Sequence, residues 1–353
     1  MADLTVGVLV TDKDEEYLGG LLERLSSKIS GIDFEVLVYD NRENSVTPLE
    51  TAGAAVIGTG GGNIRQLAAR KHIIENASGD YVWFVDADDD IFEIDGSYLT
   101  DADMTVYSRL IRGDDKDSWC EQEPLSVEGN ESVWEHKGDV RCCLWDKIIK
   151  TEILRQVISY VDDDDRVSAS EDAVYVIGAF RFAESLRFDS RYIYTYYASR
   201  SSSAIEDYSD CYEKYEACFY GIERAREILK EMADYEQEDC CFFLQKIGTT
   251  KSSETRQLMM ARLQQSFTKE QILSAWKTSL YNGGPYVIQE DFLNLVKILY
   301  EQYSDEIYLV QHVQTESTDI SGEKYVEETS ETVPITWEGN PIEREEISQL
   351  GEI

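Results

Sequence analysis

Over roughly the first hundred residues, short apolar runs alternate with amphipathic stretches. Thr5 to Val10 is continuous, β-branched and short, the pattern of a strand buried on both faces. Glu15 to Ile29 then places Leu18, Leu21, Leu22, Leu25 and Ile29 at helical spacing and runs into Gly31, a helix stop. Phe34 to Tyr39 predicts a second strand ending at Asp40. Ala54 to Ile57 predicts a third, followed by Gly58-Thr59-Gly60-Gly61-Gly62-Asn63. A helix from about Ile64 to Asn76 closes at Ser78-Gly79, and Tyr81 to Val85 is a fourth strand running straight into Asp86-Ala87-Asp88-Asp89-Asp90. This alternation predicts an α/β fold, a mostly parallel sheet with helices on both faces.

From about Asp101 to Arg200 the pattern is mixed. Short strands are expected at Met104 to Arg109 and Tyr192 to Tyr197, and helical pieces at Lys147 to Ile158 and Asp172 to Ala183. Beyond Asp207 the chain reads as helices at Cys211 to Met232, Glu238 to Ile247, Thr255 to Phe267, Lys269 to Tyr281 and Gln289 to Tyr303. A helical C-terminal lobe follows from them. The expected domains are 1–205, the α/β unit; 206–310, the helical lobe; and 311–353, an acidic tail. That tail is either solvated or a small hairpin pairing Lys324 to Thr329 with Thr332 to Trp337. No internal repeats occur.

The length of 353 residues suits two domains on the rough prior of ~150 residues each. With 42% hydrophobic residues the chain can bury a sizeable core. Charge changes the picture more: 33 Lys+Arg against 70 Asp+Glu give −37. That field repels polyanions and disfavours broad nucleic-acid or anionic-membrane binding, leaving room only for a local basic groove. No apolar run approaches the ~18 residues of a spanning helix. The start, MADLTVGVLV, lacks a basic n-region and a small-residue cleavage site, so no signal peptide is expected. The seven cysteines include adjacent pairs at Cys142-Cys143 and Cys240-Cys241 without C-x-x-C spacing. They disfavour zinc and a disulfide framework and point to a reducing, cytoplasmic setting. Of His72, His136 and His312 none has a partner at metal-ligand spacing, and His136 is at best a third ligand.

In open α/β sheets ligands bind outside the carboxyl ends of the strands. Three features converge there: Thr11-Asp12, Asp40-Asn41 and the acidic run after the fourth strand. Crowded carboxylates repel unless neutralised, and a hard divalent cation bridging to substrate phosphates does this. Asp86 and Asp88, at i and i+2, can face one cation; the plainer alternative is a solvated loop or a helix cap. Asp162 to Asp165 reads as a solvated loop. The Gly58 to Gly62 loop resembles a dinucleotide cradle only weakly, since it follows the third strand and its third Gly position is Asn63.

Several segments together resemble family 2 glycosyltransferases. VLVTDKDEEYL (Val8 to Leu18) is similar to their opening IIPTYNREEYL, and FEVLVYDNREN (Phe34 to Asn44) to FEIIVVDDGSTD. Gly60 to Asp90 resembles their G-x-S-x-A-R-N helix and D-x-D turn. Cys143 to Leu154 resembles W-N-K-L-x-x-R-x-x-L, and Ser170 to Phe180 their G-E-D helix. The resemblance covers about residues 4–200 in order and implies a GT-A, Rossmann-like nucleotide-sugar fold. By position it implies that Thr11, Asp40 and Asn41 line the nucleoside pocket, with Arg70 near the nucleotide. Asp86 would contact the ribose or the metal water shell, and Asp88 would ligate Mn²⁺ or Mg²⁺ at the diphosphate. Asp172 would be the general base, with Glu171 and Trp145 on the acceptor side. One base opposite the leaving group implies inversion at the anomeric carbon.

Departures fall where base and ribose would bind. Pro-Thr-Tyr-Asn is Val10-Thr11-Asp12-Lys13 here, the D-G-S turn is Asn41-Arg42-Glu43, and the Asn of A-R-N is Lys71. The expected donor is a nucleotide sugar, a UDP-sugar first. The acceptor is open between a glycan or lipid-linked saccharide, a protein and hydroxymethylated viral DNA, and a homo-oligomer also stays open. Two rivals stand beside this reading: a GT-A-fold binding or scaffold protein without turnover, and a nucleotidyltransferase. Glu171-Asp172 has a bland alternative as acids at a helix start, and Trp145 as core. Arg200 and Ser201-Ser202-Ser203 are a further candidate diphosphate loop.

Overall fold

Leu4–Val10 forms β1, every residue of it buried, and it lies inside the sheet on which the site is built. The computed structural model describes residues 2–42, 49, 51, 53–58, 65–113, 116–165, 167, 170–198, 212–235, 240–250, 252–281, 298–299, 308–318 and 324–334. After β1 come α1 (Glu15–Lys28), β2 (Ile29–Ser30), β3 (Phe34–Asp40), β4 (Ala55–Ile57), α2 (Gln66–Asn76) and β5 (Tyr81–Phe84). Then follow β6 (Asp90–Ile91), β7 (Ile94–Asp95), β8 (Met104–Arg112), β9 (Asp117–Cys120) and β10 (Leu125–Glu128). Next are α3 (Asn130–Glu135), β11 (Lys147–Lys150), α4 (Thr151–Ile158), α5 (Glu171–Phe182) and β12 (Ser185–Tyr197).

Among the described residues one large mixed sheet runs β10-β12-β8-β11-β5-β1-β3-β4, with β6 added to β12 and β9 to β8. β5, β1, β3 and β4 are mutually parallel. β8 and β12 are also parallel, and β11 runs against both β5 and β8. Strand alternation sends β1 side chains to two cores. Leu4, Val6, Val8 and Val10 join Leu18, Leu21, Leu22 and Leu25 of α1 on one face. On the other, Leu9 packs with Ile73 and Ile74 of α2 and with residues of α4 and α5. Burying each such Leu contributes about 1.5–3 kcal/mol, so the two-sided sheet expected from the alternation is what the chain forms.

The structure differs from the sequence reading at Lys147 to Ile158. Lys147–Lys150 is a strand, and helix begins only at Thr151. Helical spacing favours Ile148 and Ile149 equally as helix or strand, but β5 and β8 leave a gap between them that only an extended segment can fill with ladder hydrogen bonds.

The chain divides into two compact units, residues 1–205 with 218–237, and 206–217 with 238–353. The helix α6 (Tyr212–Ala233) contributes to both. In the second unit α7 (Cys240–Thr249), α8 (Ser253–Ser266) and α9 (Lys269–Tyr281) bury Phe243, Leu244, Ile247, Met259, Met260, Leu263 and Ile272. Ser252 caps α8 by accepting the Thr255 amide at 3.2 Å. Here too β13 (Tyr308–Thr318) pairs antiparallel with β14 (Lys324–Pro334). Residues 324–334 are thus one continuous strand and do not fold back on themselves. Ser330-Glu331 has neither the Gly nor the Asn that a tight hairpin turn requires. Apart from 298–299, the helix expected over Gln289 to Tyr303 lies outside the described residues, as does Trp337. No helix among the described residues is long and apolar enough to cross a membrane.

Gly79, between α2 and β5, donates to Thr5 Oγ1 at 3.0 Å, and its carbonyl accepts from Thr151 Oγ1 at 2.6 Å. A Cβ there would lie 2.5 Å from the Thr5 amide nitrogen and 2.7 Å from the Leu4 carbonyl carbon. Because these are backbone atoms of the buried strand, Gly79→Ala is expected to lower stability by about 1–3 kcal/mol, read as a reduced urea midpoint.

Candidate active site

The sheet grows from β1 to β3 and β4 in one direction, and the chain then returns to lay β5 on the other side of β1. The crevice outside the carboxyl ends of β1 and β5 is therefore the switch point where such sheets bind ligands. Thr11 leaves β1 there, its amide and hydroxyl both donating to Asp14 Oδ2 at 3.0 and 2.6 Å in the turn that opens α1. At the end of β3 the Asn41 amide donates to the Val10 carbonyl at 2.9 Å. Asp40 is clamped by Arg42, Nε to Oδ1 and Nη2 to Oδ2, both at 2.8 Å. Arg42 also reaches Glu15 at 2.7 Å and is buried. The guanidinium holds the Asp40 carboxyl below the usual carboxylate range. Arg42 is one of the departures from the family pattern, and here it takes up the carboxylate expected to face the nucleoside.

The centre of the site is Arg70, on α2, with 7% of its side chain exposed. Its Nη1 lies 2.7 Å from Glu171 Oε1 and 2.8 Å from Asp172 Oδ1, and its Nη2 lies 4.0 Å from Asp86 Oδ1. Its guanidinium also stands 5.8 Å from the Phe84 ring centroid. Glu171 and Asp172 occupy the first turn of α5, where the helix dipole favours acids. The helices α2 and α5 are tied by the Tyr175 hydroxyl donating to the Leu67 carbonyl at 2.6 Å. Both begin after a residue with positive φ, Arg65 at 71° and Ser170 at 62°. Non-glycine residues pay for that conformation, and it recurs where a chain is bent to aim side chains. Burial pushes the Asp172 carboxyl up to about 6, against the pull of Arg70 and with added repulsion from Glu171. Burial likewise raises Asp86 to about 6, Arg70 again opposing it.

Asp172 is fixed on its other side by the segment before β11. The Leu144 amide donates to Asp172 Oδ2 at 3.3 Å. Lys147, fully buried, shapes that segment by donating to the carbonyls of Arg141 and Cys143 at 2.9 and 2.7 Å and to Asp146 Oδ1 at 2.6 Å. Arg109 from β8 completes the group with Asp146 Oδ2 at 2.6 Å. Between Leu144 and Asp146 stands Trp145, half-buried, its ring 4.7 Å from Tyr194 and 5.6 Å from Tyr196 in stacked geometry.

The acidic turn follows β5. Asp86 and Asp88 are partly exposed, whereas Asp89 is buried. Asp89 accepts from the Tyr194 hydroxyl and the Tyr197 amide, both at 2.8 Å, and burial pushes its carboxyl up to about 8. Asp90 pairs with Arg24 at 3.1 Å and Lys28 at 2.8 Å. Among the described residues no group of three or more His, Cys, Asp or Glu side chains is arranged to hold a metal ion. Asp86 and Asp88 present hard oxygen donors beside a cluster in which carboxylates outnumber Arg70. That chemistry suits a hard cation whose remaining ligands are phosphate oxygens.

The structure thus brings Arg70, Asp86, Glu171 and Asp172 into one cluster from positions about a hundred residues apart. It sets Thr11 and Asp14 at the start of α1, and Asp40, Asn41 and Arg42 at the end of β3. Trp145 joins a tyrosine stack. Arg200 to Ser203 and residues 59–64 of the Gly loop lie outside the described residues. Sequence reading passed over Asp89, Tyr194, Asp146, Lys147 and Arg109. The Asp-Lys pair after Trp145 and the tyrosine-rich run were the only signals, and both fit an ordinary surface or strand. Because Arg70 is buried against the carboxylates, Arg70→Met is expected to cost about 3–5 kcal/mol at pH 8. The cost should shrink at pH 5, where Asp86 and Asp172 take up protons, so urea unfolding at the two pH values checks it.

Residues 5–93, which include β1, β3, β4, α2, β5 and the acidic turn, match the model of Glycosyl transferase family 2. No curated protein matches the chain. Among solved structures, S. aureus TarS 1–349 is 15% identical with a TM-score of 0.45, over 96% of this chain and 98% of that one. The same protein in complex with UDP is 16% identical at 0.45, over 96% and 98%. A further TarS structure is 15% identical at 0.45, over 92% of this chain and 60% of that one. Those likenesses are distant, and the family resemblance rests on residues 5–93. Through that segment, within an α/β sheet of the GT-A type, the chain is similar to the glycosyltransferases of family 2.

Proposed function

We propose that the chain is a metal-dependent, inverting glycosyltransferase that moves a sugar from a nucleoside diphosphate, UDP first, to an acceptor hydroxyl of a glycan or lipid-linked saccharide. Asp172 is the general base. The observation that carries this is how the carboxylate is held. The Leu144 amide donates to Oδ2 at 3.3 Å and Arg70 Nη1 lies 2.8 Å from Oδ1, while the side chain keeps 22% of its surface exposed. A carboxylate oriented from both sides and still open in part can meet an acceptor hydroxyl.

In this reading the Asp172 carboxylate takes the proton of the acceptor hydroxyl as the hydroxyl oxygen bonds to the anomeric carbon. The bond from the anomeric carbon to the diphosphate breaks on the opposite face, giving inversion. A carboxyl raised to about 6 suits this role, since it is ionised near neutrality and basic enough to accept a proton. Arg70 stabilises its charge and holds Glu171 beside it on the acceptor side, where Trp145 offers an aromatic face. Thr11, Asp40 and Asn41 flank the nucleoside, with Arg42 setting how much of Asp40 the ligand meets. Asp86 and Asp88 would hold Mn²⁺ or Mg²⁺, which when bound neutralises the departing diphosphate. Residues 1–205 form the catalytic domain, with 206–310 as a helical lobe and 311–353 as an acidic segment that carries most of the β13–β14 hairpin.

Calorimetric titration with UDP, GDP, CDP and TDP, with and without Mn²⁺, tests the donor side. Metal-dependent micromolar binding of one of them, lost in Asp88→Ala, is expected, and binding of none would overturn the reading. Asp172→Asn is expected to lower kcat by about 10²–10⁴ while leaving nucleotide affinity within about threefold. The base form of Asp172 exists above its pKa, so kcat/KM should fall as pH drops through about 6. A flat profile from pH 5 to 7 would exclude Asp172 as the base.

A further inference from the structure

The acidic turn is fastened to β12 by one tyrosine. Tyr194 Oη accepts the Asp86 amide at 3.0 Å and donates to Asp89 Oδ2 at 2.8 Å. The amide can only donate, so the hydroxyl oxygen accepts there while it bridges to Asp89 Oδ2. Asp89 Oδ1 accepts the Tyr197 amide at 2.8 Å, and the Asp89 carbonyl accepts Arg24 Nη2 at 2.9 Å. Just beyond, β6 pairs with β12 through Tyr194 opposite Ile91 and Thr195 opposite Asp90. The clasp therefore grips the main chain of Asp86 and the side chain of Asp89, the positions on either side of Asp88.

Tyr194 and Asp89 are almost fully buried. Packing alone does not call for them: burying a hydroxyl and a carboxylate costs desolvation that a Phe beside an apolar residue would avoid. What the polar pair supplies is direction, because two hydrogen bonds through one oxygen fix both ends of a four-residue turn. The Tyr194 ring, in turn, lies on Trp145 at 4.7 Å with 19° between planes. One rigid side chain so links the acidic turn to the segment that supplies the Leu144 amide to Asp172.

We propose that Tyr194 is a positioning residue whose hydroxyl, bridging Asp86 and Asp89, sets the Asp86–Asp88 pair for the metal-bound diphosphate of the donor. This rests on the donor-site reading above. Tyr194→Phe keeps the ring and its stack on Trp145 and removes only the bridge. UDP, or whichever of the four nucleoside diphosphates the wild-type protein binds, is the probe, titrated with and without Mn²⁺. Tyr194→Phe is expected to weaken the Mn²⁺-dependent binding about tenfold, the usual scale for orphaning a buried hydrogen-bond partner. Binding without Mn²⁺ should stay within about twofold.

Asp89→Ala, which removes the acceptor, should show the same split, and the double variant should be no worse than the weaker single one. Equal weakening with and without Mn²⁺, in step with a lowered melting temperature, would make the tyrosine merely structural and overturn the inference. Unchanged Mn²⁺-dependent binding in Tyr194→Phe, with wild-type binding intact, would overturn it alone. Failure of the wild-type protein to bind any nucleoside diphosphate would overturn it together with the donor-site reading.

Discussion

A guanidinium with 7% of its side chain exposed cannot be left without counter-charges, and the placement of Arg70 governs this site. Its charge is worth keeping only if carboxylates approach it closely. Those carboxylates come from the turn after β5 and from the start of α5, so both elements must end within reach of α2. Seen from the acids, the constraint is the same. Glu171 and Asp172 are neighbours on one helical turn and repel each other, and Arg70 is the cation that offsets that repulsion.

Around this pair the chain repeatedly uses buried charge as a tether. Arg42 fastens the end of β3 to α1 through Asp40 and Glu15. Lys147, Asp146 and Arg109 shape the segment that meets Asp172 and carries Trp145. Asp89 and Tyr194 hold the acidic turn on β12. Each such network is costly to break, because removing one member leaves another buried and unpaired. A hydrophobic core alone would leave these loops free to rotate about their anchors. Directional hydrogen bonds at their ends do not, and that is the geometric precision the proposed sugar transfer would demand.

The negative charge of the whole chain acts on a different scale. An excess of 37 acidic charges repels polyanions at long range. It says nothing about the site itself, where local pairing and burial decide each carboxylate separately. Asp40 is lowered by Arg42 while Asp86 and Asp172 are raised by burial, although all three are aspartates at the carboxyl edge of one sheet.

Strands β1, β3, β4 and β5, the helices α1 and α2 and the acidic turn were legible in the sequence, because their patterns are local and strongly periodic. Asp86, Asp88 and Asp172 stood out for the same reason, each in a short run of characteristic residues. Lys147–Lys150 was misread because an Ile-Ile pair between lysines has no local preference strong enough to resist its neighbours. Only the gap between β5 and β8 makes it a strand. The roles of Arg42, Asp89, Tyr194 and Lys147 were invisible for a related reason, since each depends on partners distant in sequence or on burial. The sequence by itself determined the order of elements and the chemical types gathered at the strand ends, since these follow from periodicity and residue identity. The tertiary structure alone decided which acid meets which cation, which carboxylates are buried, and that Arg70 and the Leu144 amide hold Asp172 from two sides. Such pairings arise only when residues about a hundred positions apart are packed into contact.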